Sequence, residues 1–289
     1  MASVRFGCQL PQDNPNFDQV IAVAVECERL GFDSVWAYDH LSPFWTSSGR
    51  VLECWTLLSA VAARTKRIKI GSLVSNVNLR NPALLAKMTS TLDNISDGRL
   101  IVGLGVGDKL SQSELQAYGY KFASTNERVD RLKETIQILK VLWTEDEASF
   151  KGKYYQISRA HNYPKPRQQP HPQIWIGGKH RKLLSLVAEM ADGWNYWGLK
   201  KSELEKRENY LHSQCIEFNR RPEDIVKSWA GTISAVPKIE SHVDVVDGVR
   251  AELLKQTSDQ TDYFIGSFSS NATPEVYTSF AEAVKSIGR

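Results

Sequence analysis

The sequence places an acid and a base side by side directly after a short apolar run. In FDSVWAYDHL, the run SVWAY at 34–38 is followed by Asp39 and His40. A histidine can donate or accept a proton near neutral pH, which makes His40 a candidate general acid or base. The same Asp–His pair could instead only stabilise the turn that follows a strand. Both interpretations stay open on the residue types alone.

A double glycine and a basic cluster follow another apolar run, in IWIGGKHRKLLSLVAEM at 174–190. Gly177 and Gly178 come first, and the cluster stands at the predicted start of a helix. It consists of Lys179, His180, Arg181 and Lys182. Exposed backbone amides and the positive end of a helix dipole favour an anion at such a place. The sequence therefore predicts an anion site here, with a turn carrying a solvated basic patch as the alternative.

Alternating glycines mark a third candidate, in VGLGVGDK at 102–109. Gly103, Gly105 and Gly107 would lie on one face of a strand. Glycines so placed leave room for a flat ligand or a neighbouring backbone, or else for tight packing at the centre of the fold. Their spacing differs from the GxGxxG fingerprint of dinucleotide sites. Asp108 is the nearest spare carboxylate and a candidate proton-transfer or polar-anchor group.

Short apolar runs rich in β-forming residues alternate along the chain with segments of helical periodicity. The predicted strands are 4–10, 34–38, 68–74, 99–105, 173–178, 193–197, 225–234 and 262–268. The predicted helices are 17–30, 52–65, 82–95, 125–143, 180–191, 201–218, 242–256 and 273–286. Strict alternation indicates parallel strands joined by crossover helices. At 289 residues, a closed (β/α)8 TIM barrel of the α/β class is the simplest arrangement.

The barrel interpretation treats residues 1–289 as a single domain with insertions in its βα loops. A doubly wound open sheet is the alternative, but CQLPQDNPN lacks the glycine-rich fingerprint expected after its first strand. Two long connections, 106–124 and 146–172, are the expected insertions. Loops of this length inside a compact domain are usually functional.

A barrel would bring the candidate groups together, because its chemistry lies where the carboxyl ends of the strands meet the βα loops. Asp39 and His40 follow the second predicted strand, and the segment 74–78 follows the third. Residues 106–111 follow the fourth strand, and the double glycine follows the fifth. In the loop after the third strand, Arg80 could pair with a carboxylate or only orient the loop.

Composition excludes several classes of function. The net charge of +3 includes no basic block, so nucleic acid is not an expected partner. No apolar run approaches the length of a membrane span, and the amino-terminal segment lacks the apolar core of a signal peptide. Four scattered cysteines lack metal or disulfide spacing, so we expect reduced thiols, a cytoplasmic location and no metal site.

Several segments, in order, resemble the bacterial luciferase-like superfamily, and most closely its coenzyme F420-dependent oxidoreductases. They are ECERLGFDSVWAYDHL, VLECWTLLSAVAARTKRIKIGSLV, RNPALLAKMTSTLDNISDGRLIVGLGVG, ERVDRLKETIQILKVLW, KPRQQPHPQIWIGG and ADGWN. The resemblance covers nearly the whole chain and implies a TIM barrel whose mouth binds a flavin or deazaflavin ring. It also implies a non-proline cis peptide bond behind the ring, by position between Leu73 and Val74.

The resemblance implies roles for particular residues. Asp39 and His40 match positions that contact the ring and transfer a proton, with His40 as a catalytic group. Asp108, the second candidate catalytic group, stands where a sugar-phosphate-oxidising relative has a glutamate, and its shorter side chain reaches less far. The implied cofactor-binding residues are Asp39, Val74, Asn76, Val106, Gly107, Ser111, Gly177, Gly178, Lys179, His180, Arg181, Lys182 and Leu183.

The implied reaction is hydride transfer between C5 of coenzyme F420 and a small organic substrate. FMN is the alternative cofactor, with an FMN-dependent monooxygenase as the alternative activity. A non-catalytic flavin- or ligand-binding barrel is a third possibility. We expect the substrate to contact loops 42–50, 106–124 and 146–172. Relatives commonly form dimers, so a homodimer is expected, with neither nucleic acid nor a membrane as partner.

Overall fold

Eight parallel strands pair side by side around a barrel. The structure, a computed structural model, describes residues 4–14, 16–43, 49–233, 242–269 and 272–287. Of the predicted substrate loop 42–50, residues 44–48 lie outside this range. The strands are β1 (Arg5–Gln9), β2 (Ser34–Ala37), β3 (Lys69–Ser72), β4 (Ser75–Asn76), β5 (Leu100–Gly105), β6 (Ala148–Lys151), β7 (Gln156–Ala160), β8 (Gln173–Gly177), β9 (Gly193–Trp197), β10 (Val226–Thr232) and β11 (Tyr263–Ser267).

The strand pairing confirms the predicted (β/α)8 barrel. Its order is β1, β2, β3, β5, β8, β9, β10 and β11, and β11 pairs back to β1 in parallel. A doubly wound sheet would have two free edges, so that alternative is excluded. All eight predicted strands are present, and each ends within two residues of its predicted bounds. The short β4 prolongs β3 and pairs with β5 through Ser75 and Leu104.

The described helices surround the barrel. They are α1 (Phe17–Arg29), α2 (Cys54–Arg64), α3 (Pro82–Ile95), α4 (Leu110–Ala117), α5 (Thr125–Thr144), α6 (Arg181–Met190), α7 (Lys201–Glu217), α8 (His242–Gln256) and α9 (Pro274–Ile287). All except α4, which was not predicted, match a predicted helix within two residues. Local sequence explains their starts: Asn16 and Gln19 form a capping box on α1, and Asn81 caps α3 before Pro82. Within the described residues, no helix combines the length and apolar character of a membrane span.

The two connections predicted as loops contain further elements. Helix α4 lies in 106–124, and β6 and β7 form an antiparallel hairpin in 146–172. Only 106–124 is an insertion in a βα loop; 146–172 joins the end of α5 to the start of β8, so its prediction as a βα-loop insertion was wrong. Glu134 on α5 holds the hairpin turn, because its carboxylate accepts hydrogen bonds from the N–H of Lys153 (2.7 Å) and from two further turn N–H groups. The contact joins a helix to a turn 19 to 21 residues later, so periodicity within either segment could not indicate it.

Aromatic side chains fill the interior of the barrel. The rings of Trp36 and Trp175 lie 5.0 Å apart, and Tyr263 packs edge-on against Trp175 at 5.3 Å. Gly71 makes room for them, since a Cβ there would lie 2.3 Å from a Trp36 ring carbon. The partly buried Leu73 lies on this cluster at the carboxyl ends of the strands, which we call the mouth. A ligand must therefore bind above Leu73, at the mouth, and not inside the barrel.

Candidate active site

A cis peptide bond between Leu73 and Val74 forms the floor of the mouth, as the family resemblance implied. The Val74 side chain lies between two barrel strands. A Cβ at Gly105 on β5 would lie 2.5 Å from Val74 Cγ2, and a Cβ at Gly177 on β8 would lie 2.9 Å from both Val74 methyl carbons. Val74 thus fills the space that these two glycines leave open.

The cis bond and the Val74 side chain form a bulge, and two of the alternating glycines make room for it. This decides between the two predictions for these glycines, space for a flat ligand or space for backbone and packing. A Cβ at Gly103 would lie 1.9 Å from the carbonyl oxygen of Ser72, and Gly105 faces Val74. Backbone and packing, not a flat ligand, therefore occupy the space beside these two glycines. Gly107 differs, because it has a φ of 68° and borders Asn76 at the mouth.

Alanine at position 105 is expected to displace the bulge. The added methyl would lie 2.5 Å from Val74 Cγ2, and overpacking of this kind costs about 1–3 kcal/mol of unfolding free energy. Val74→Ala removes that methyl and leaves Val74 Cβ at an ordinary 3.6 Å. In urea unfolding, we therefore expect the double variant Gly105→Ala/Val74→Ala to lose less unfolding free energy than the sum of the losses in the two single variants. Simple additivity would contradict the contact.

Asp39 is held by the loop that follows the third barrel strand, and its side chain is 1% exposed. Its Oδ2 accepts hydrogen bonds from Ser75 Oγ (2.8 Å), Asn76 N (3.1 Å) and Arg80 Nη1 (2.6 Å). Its Oδ1 accepts one from Arg80 Nη2 (2.9 Å). Arg80 also donates to Glu53 Oε1 (2.5 Å), so it both pairs with carboxylates and orients the loop. Both roles predicted as alternatives for Arg80, pairing with a carboxylate and orienting the loop, are therefore present.

His40 hydrogen-bonds a carboxylate from another element, and not that of the adjacent Asp39. Its Nδ1 lies 2.9 Å from Oε2 of Glu114, which is on α4. The His40 side chain is 22% exposed and that of Glu114 only 6%. Glu114 Oε1 also accepts from Leu41 N (2.5 Å), Ser42 N (2.8 Å) and Ser42 Oγ (3.1 Å). The imidazole therefore reaches the mouth while a buried acid holds it from behind.

Glu114 is ionised at neutral pH despite its burial. Burial alone would raise the pKa of its carboxyl, but the hydrogen bonds from His40 and the loop N–H groups outweigh this and hold the pKa below its ordinary value. Sequence reasoning missed Glu114. The signal in the sequence was weak: Ser111, Glu114 and Leu115 have helical spacing, but that they form the buried side of α4 is known only from the structure.

Four predicted site residues lie in the loop from β5 to α4 and in the first turn of α4. Val106 and Ser111 are buried, and Gly107 is partly exposed. Ser111 donates to Asp108 Oδ1 from its N–H (3.0 Å) and its hydroxyl (3.1 Å), so the exposed Asp108, which precedes the N-cap residue, binds an N–H group of the first turn of α4. The buried Arg128 supports the loop by donating to Val106 O at 2.8 Å. A catalytic role for Asp108 stays a prediction.

The predicted anion loop begins at a glycine that needs its conformational freedom. Gly178 has a φ of 134°, donates to Asn195 O (3.0 Å) and accepts from Trp194 Nε1 (2.6 Å). Leu183 is buried beneath it, since a Cβ at Gly178 would lie 2.6 Å from Leu183 Cδ1. Leu183 thus shapes the loop and offers no polar group. The exposed residues are Lys179, His180, Arg181 and Lys182.

The acid–base group and the anion loop share one end of the barrel. Asp39 bonds to Ser75, which follows Val74, and Val74 lies against the space at Gly177. Leu73 and Val74 are both only partly buried. They leave an apolar surface on the floor of the mouth, bordered by the polar ends of β2 and β8. A flat, largely apolar group with an anionic tail fits this arrangement of surfaces.

A separate cleft of about 540 Å³ lies at the opposite end of the barrel, and none of the predicted catalytic or cofactor-binding residues lines it. Residues 168–171 do line it, so this part of the loop 146–172 lies away from the mouth, where the substrate was expected to contact it. Two cations on its wall stabilise the carboxyl end of α6. Lys140 Nζ donates to Met190 O (2.9 Å), and Arg220 Nη1 lies 3.4 Å from Val187 O. Binding to the carbonyl groups at the end of α6 therefore explains why these two cations lie in the cleft.

Comparison with known proteins gives a family and several relatives. A sequence model of one family, described as luciferase-like monooxygenase, matches residues 1–275. An F420-dependent glucose-6-phosphate dehydrogenase of Amycolatopsis mediterranei is 36% identical over 179 residues, which are 62% of this chain and 53% of that protein. An F420-dependent hydroxymycolic acid dehydrogenase of Mycobacterium tuberculosis is 31% identical over 194 residues, 67% of this chain and 52% of that protein. The chain spans about half the length of the curated relatives it matches.

Solved structures match the fold along almost the whole chain. An F420-dependent secondary alcohol dehydrogenase in complex with an F420–acetone adduct has a TM-score of 0.84 at 19% identity, covering 98% of both chains. A monooxygenase from Streptomyces bottropensis has a TM-score of 0.78 at 21% identity, again covering 98% of both. At these identities the likeness establishes the fold alone and nothing about the chemistry.

Proposed function

The chain belongs to the luciferase-like monooxygenase family, and we propose that it is an F420-dependent oxidoreductase that oxidises a hydroxyl group of a small organic molecule. The two relatives named above are F420-dependent dehydrogenases whose named substrates, a sugar phosphate and a hydroxymycolic acid, carry hydroxyl groups. A bound F420 supplies a hydride acceptor at C5 of its planar ring. The other tasks fall to the residues of this chain.

The observation that carries the proposal is the position of His40 beside the apolar floor. Leu73 and Val74 offer a partly exposed apolar surface to a planar ring, and the imidazole stands 22% exposed at its edge. A general base must come within hydrogen-bond reach of the proton that it takes. His40 is the acid–base group best placed to do this for a substrate lying on the ring.

The residues around the floor suit a deazaflavin in chemical type. Its ring carries carbonyl and N–H groups, which Asn76 and the backbone around Val106 and Gly107 can bind. Asp39 Oδ1 accepts from Arg80 and, as a carboxylate oxygen, can accept another hydrogen bond. Contacts from Val74 and Ser111 to the ring are part of the same proposal.

The anionic tail of the cofactor is proposed to lie on the loop after β8. The exposed Lys179 and Lys182 supply positive charge, and α6 directs its amino terminus to the mouth. The space that Gly178 leaves above Leu183 allows the loop to turn closely there. Charge and helix direction thus support an anion here, as the sequence predicted.

In the proposed reaction His40 takes the hydroxyl proton as the substrate carbon loses a hydride. Taking the proton at that moment avoids a protonated carbonyl, which is the usual benefit of general base catalysis. Helix α4 and its flanking loops cover one side of the mouth and help to exclude water. The chain's remaining part is to hold substrate and ring face to face.

Binding of F420 tests the proposal before any substrate is known. Titration of the purified protein is expected to quench F420 fluorescence saturably, while FMN binds more weakly. Glucose 6-phosphate, 2-propanol and a hydroxylated fatty acid then probe three hydroxyl-bearing classes, with loss of F420 absorbance as the readout. Failure to bind F420 in either redox state would overturn the proposal.

The second candidate function is an FMN-dependent monooxygenase, which the description of the family favours. A deazaflavin lacks the ring nitrogen through which flavins react with oxygen, so this activity needs FMN. Tight FMN binding together with flavin-dependent oxygen uptake would support it. The same titration therefore separates the two candidates.

A further inference from the structure

Helix α4 lies outside the barrel wall, yet it is fastened to the segment that carries His40. Glu114 accepts four hydrogen bonds from residues 40–42, at 2.5 to 3.1 Å. One turn later, Tyr118 Oη donates to Leu41 O at 3.0 Å. Helix α4 and the residue after it thus bind the segment that follows β2 at two places, through Glu114 and through Tyr118. Only the contact through Glu114 includes the imidazole.

The two oxygens of Glu114 have separate tasks. Oε1 accepts from Leu41 N, Ser42 N and Ser42 Oγ, whereas His40 Nδ1 approaches Oε2 at 2.9 Å. An ionised carboxylate can only accept hydrogen bonds. The hydrogen in this contact must therefore belong to Nδ1, and a neutral imidazole then carries its lone pair on Nε2.

We propose that Glu114 is a positioning residue that fixes the tautomer and ring plane of His40, so that Nε2 is the atom that accepts the substrate proton. This inference rests on the proposed function for its catalytic part only. The tautomer is a property of the cofactor-free protein and can be measured in it. Glu114 itself lies behind the imidazole and is not proposed to touch the substrate or the cofactor.

Glu114→Gln changes the tautomer while keeping the shape. The amide oxygen of glutamine can keep the bonds to the N–H groups of residues 41 and 42. Its NH2 group then faces His40 Nδ1 and donates to it, which turns Nδ1 into the acceptor and moves the hydrogen to Nε2. Tyr118→Phe is the matched control, because it removes the other fastening of α4 and leaves the imidazole contact in place.

Nitrogen-15 NMR of the cofactor-free protein tests the tautomer directly. At a pH where the ring is neutral, we expect a protonated Nδ1 at His40 in the parent protein and in Tyr118→Phe. We expect a protonated Nε2 in Glu114→Gln, with the His40 signals assigned by their loss in His40→Ala. The same His40 tautomer in the parent protein and Glu114→Gln would overturn the proposal, even if F420 binds.

A double-mutant cycle tests the catalytic part with F420 and whichever of the three hydroxyl-bearing probes the parent protein oxidises. Glu114→Gln is expected to lower kcat about tenfold with little change in F420 affinity, and to have no further effect in His40→Ala. A purely structural role would instead give losses that multiply in the double variant, and that result would contradict the proposal. Failure of F420 to bind would remove the proposed function but leave the NMR test intact.

Discussion

Replacing His40 by alanine is expected to lower turnover by about 100-fold or more and to leave the affinity for F420 unchanged. The imidazole stands at the edge of the floor, where its part is proton transfer and not support of the ring. Its loss removes the base without opening the mouth, because Glu114 still binds the N–H groups of residues 41 and 42. We therefore expect His40→Ala to lower kcat without changing the Kd for F420.

Fluorescence titration and steady-state kinetics measure these two quantities in the same preparation. His212→Ala is the matched control, since that histidine is exposed on α7. It should leave both quantities unchanged. A fully active His40→Ala would remove the proposed base and would favour the third sequence-based hypothesis, a barrel that binds a cofactor without catalysis. A parallel loss of affinity and turnover would instead assign His40 to cofactor binding.

The arrangement of strands and helices followed from apolar periodicity. Each barrel strand carries a run of buried residues, as in Leu100–Gly105, and each main helix shows apolar residues at three- and four-residue spacing. Such patterns are local and can be read along the chain. Helix α4 was not predicted because its eight residues are mostly polar, so its periodicity is weak. The hairpin of β6 and β7 was not predicted because its turn is held by Glu134, which lies on α5, 19 residues before Lys153.

The candidate site was predictable in its location but not in its pairings. Asp39 and His40 are neighbours in sequence, which suggested that they act together. Their side chains instead bond to different partners, Arg80 for the aspartate and Glu114 for the histidine. These partners lie 41 and 74 residues further along the chain, so only the folded barrel brings them into contact. The cis bond at Leu73 was expected from family resemblance and not from any local pattern.

Arg80→Met is the substitution expected to destabilise the protein most. Arg80 is the only cation within the described residues that is seen to pair with Asp39, whose side chain is 1% exposed. Methionine keeps the length of the apolar stem but leaves that buried carboxylate without a positive partner. Removing one member of a buried ion pair costs about 3–5 kcal/mol of unfolding free energy. The loss should appear as a lower midpoint in urea unfolding.

The loss of unfolding free energy in Arg80→Met should come from the unpaired charge of Asp39 and not from the change to the Arg80 stem. Adding Asp39→Asn to Arg80→Met removes the unpaired charge while an amide oxygen can still accept from Ser75 and the N–H of Asn76. We therefore expect the double variant to be more stable than Arg80→Met alone. Arg159→Met is the matched control: its partner is Glu147, and with a side chain 77% exposed the change should have little measurable effect. If Arg80→Met unfolds like the parent protein, the ion pair does not hold the loop after β3, and the polar side of the mouth must be fixed by Ser75 and the bulge instead.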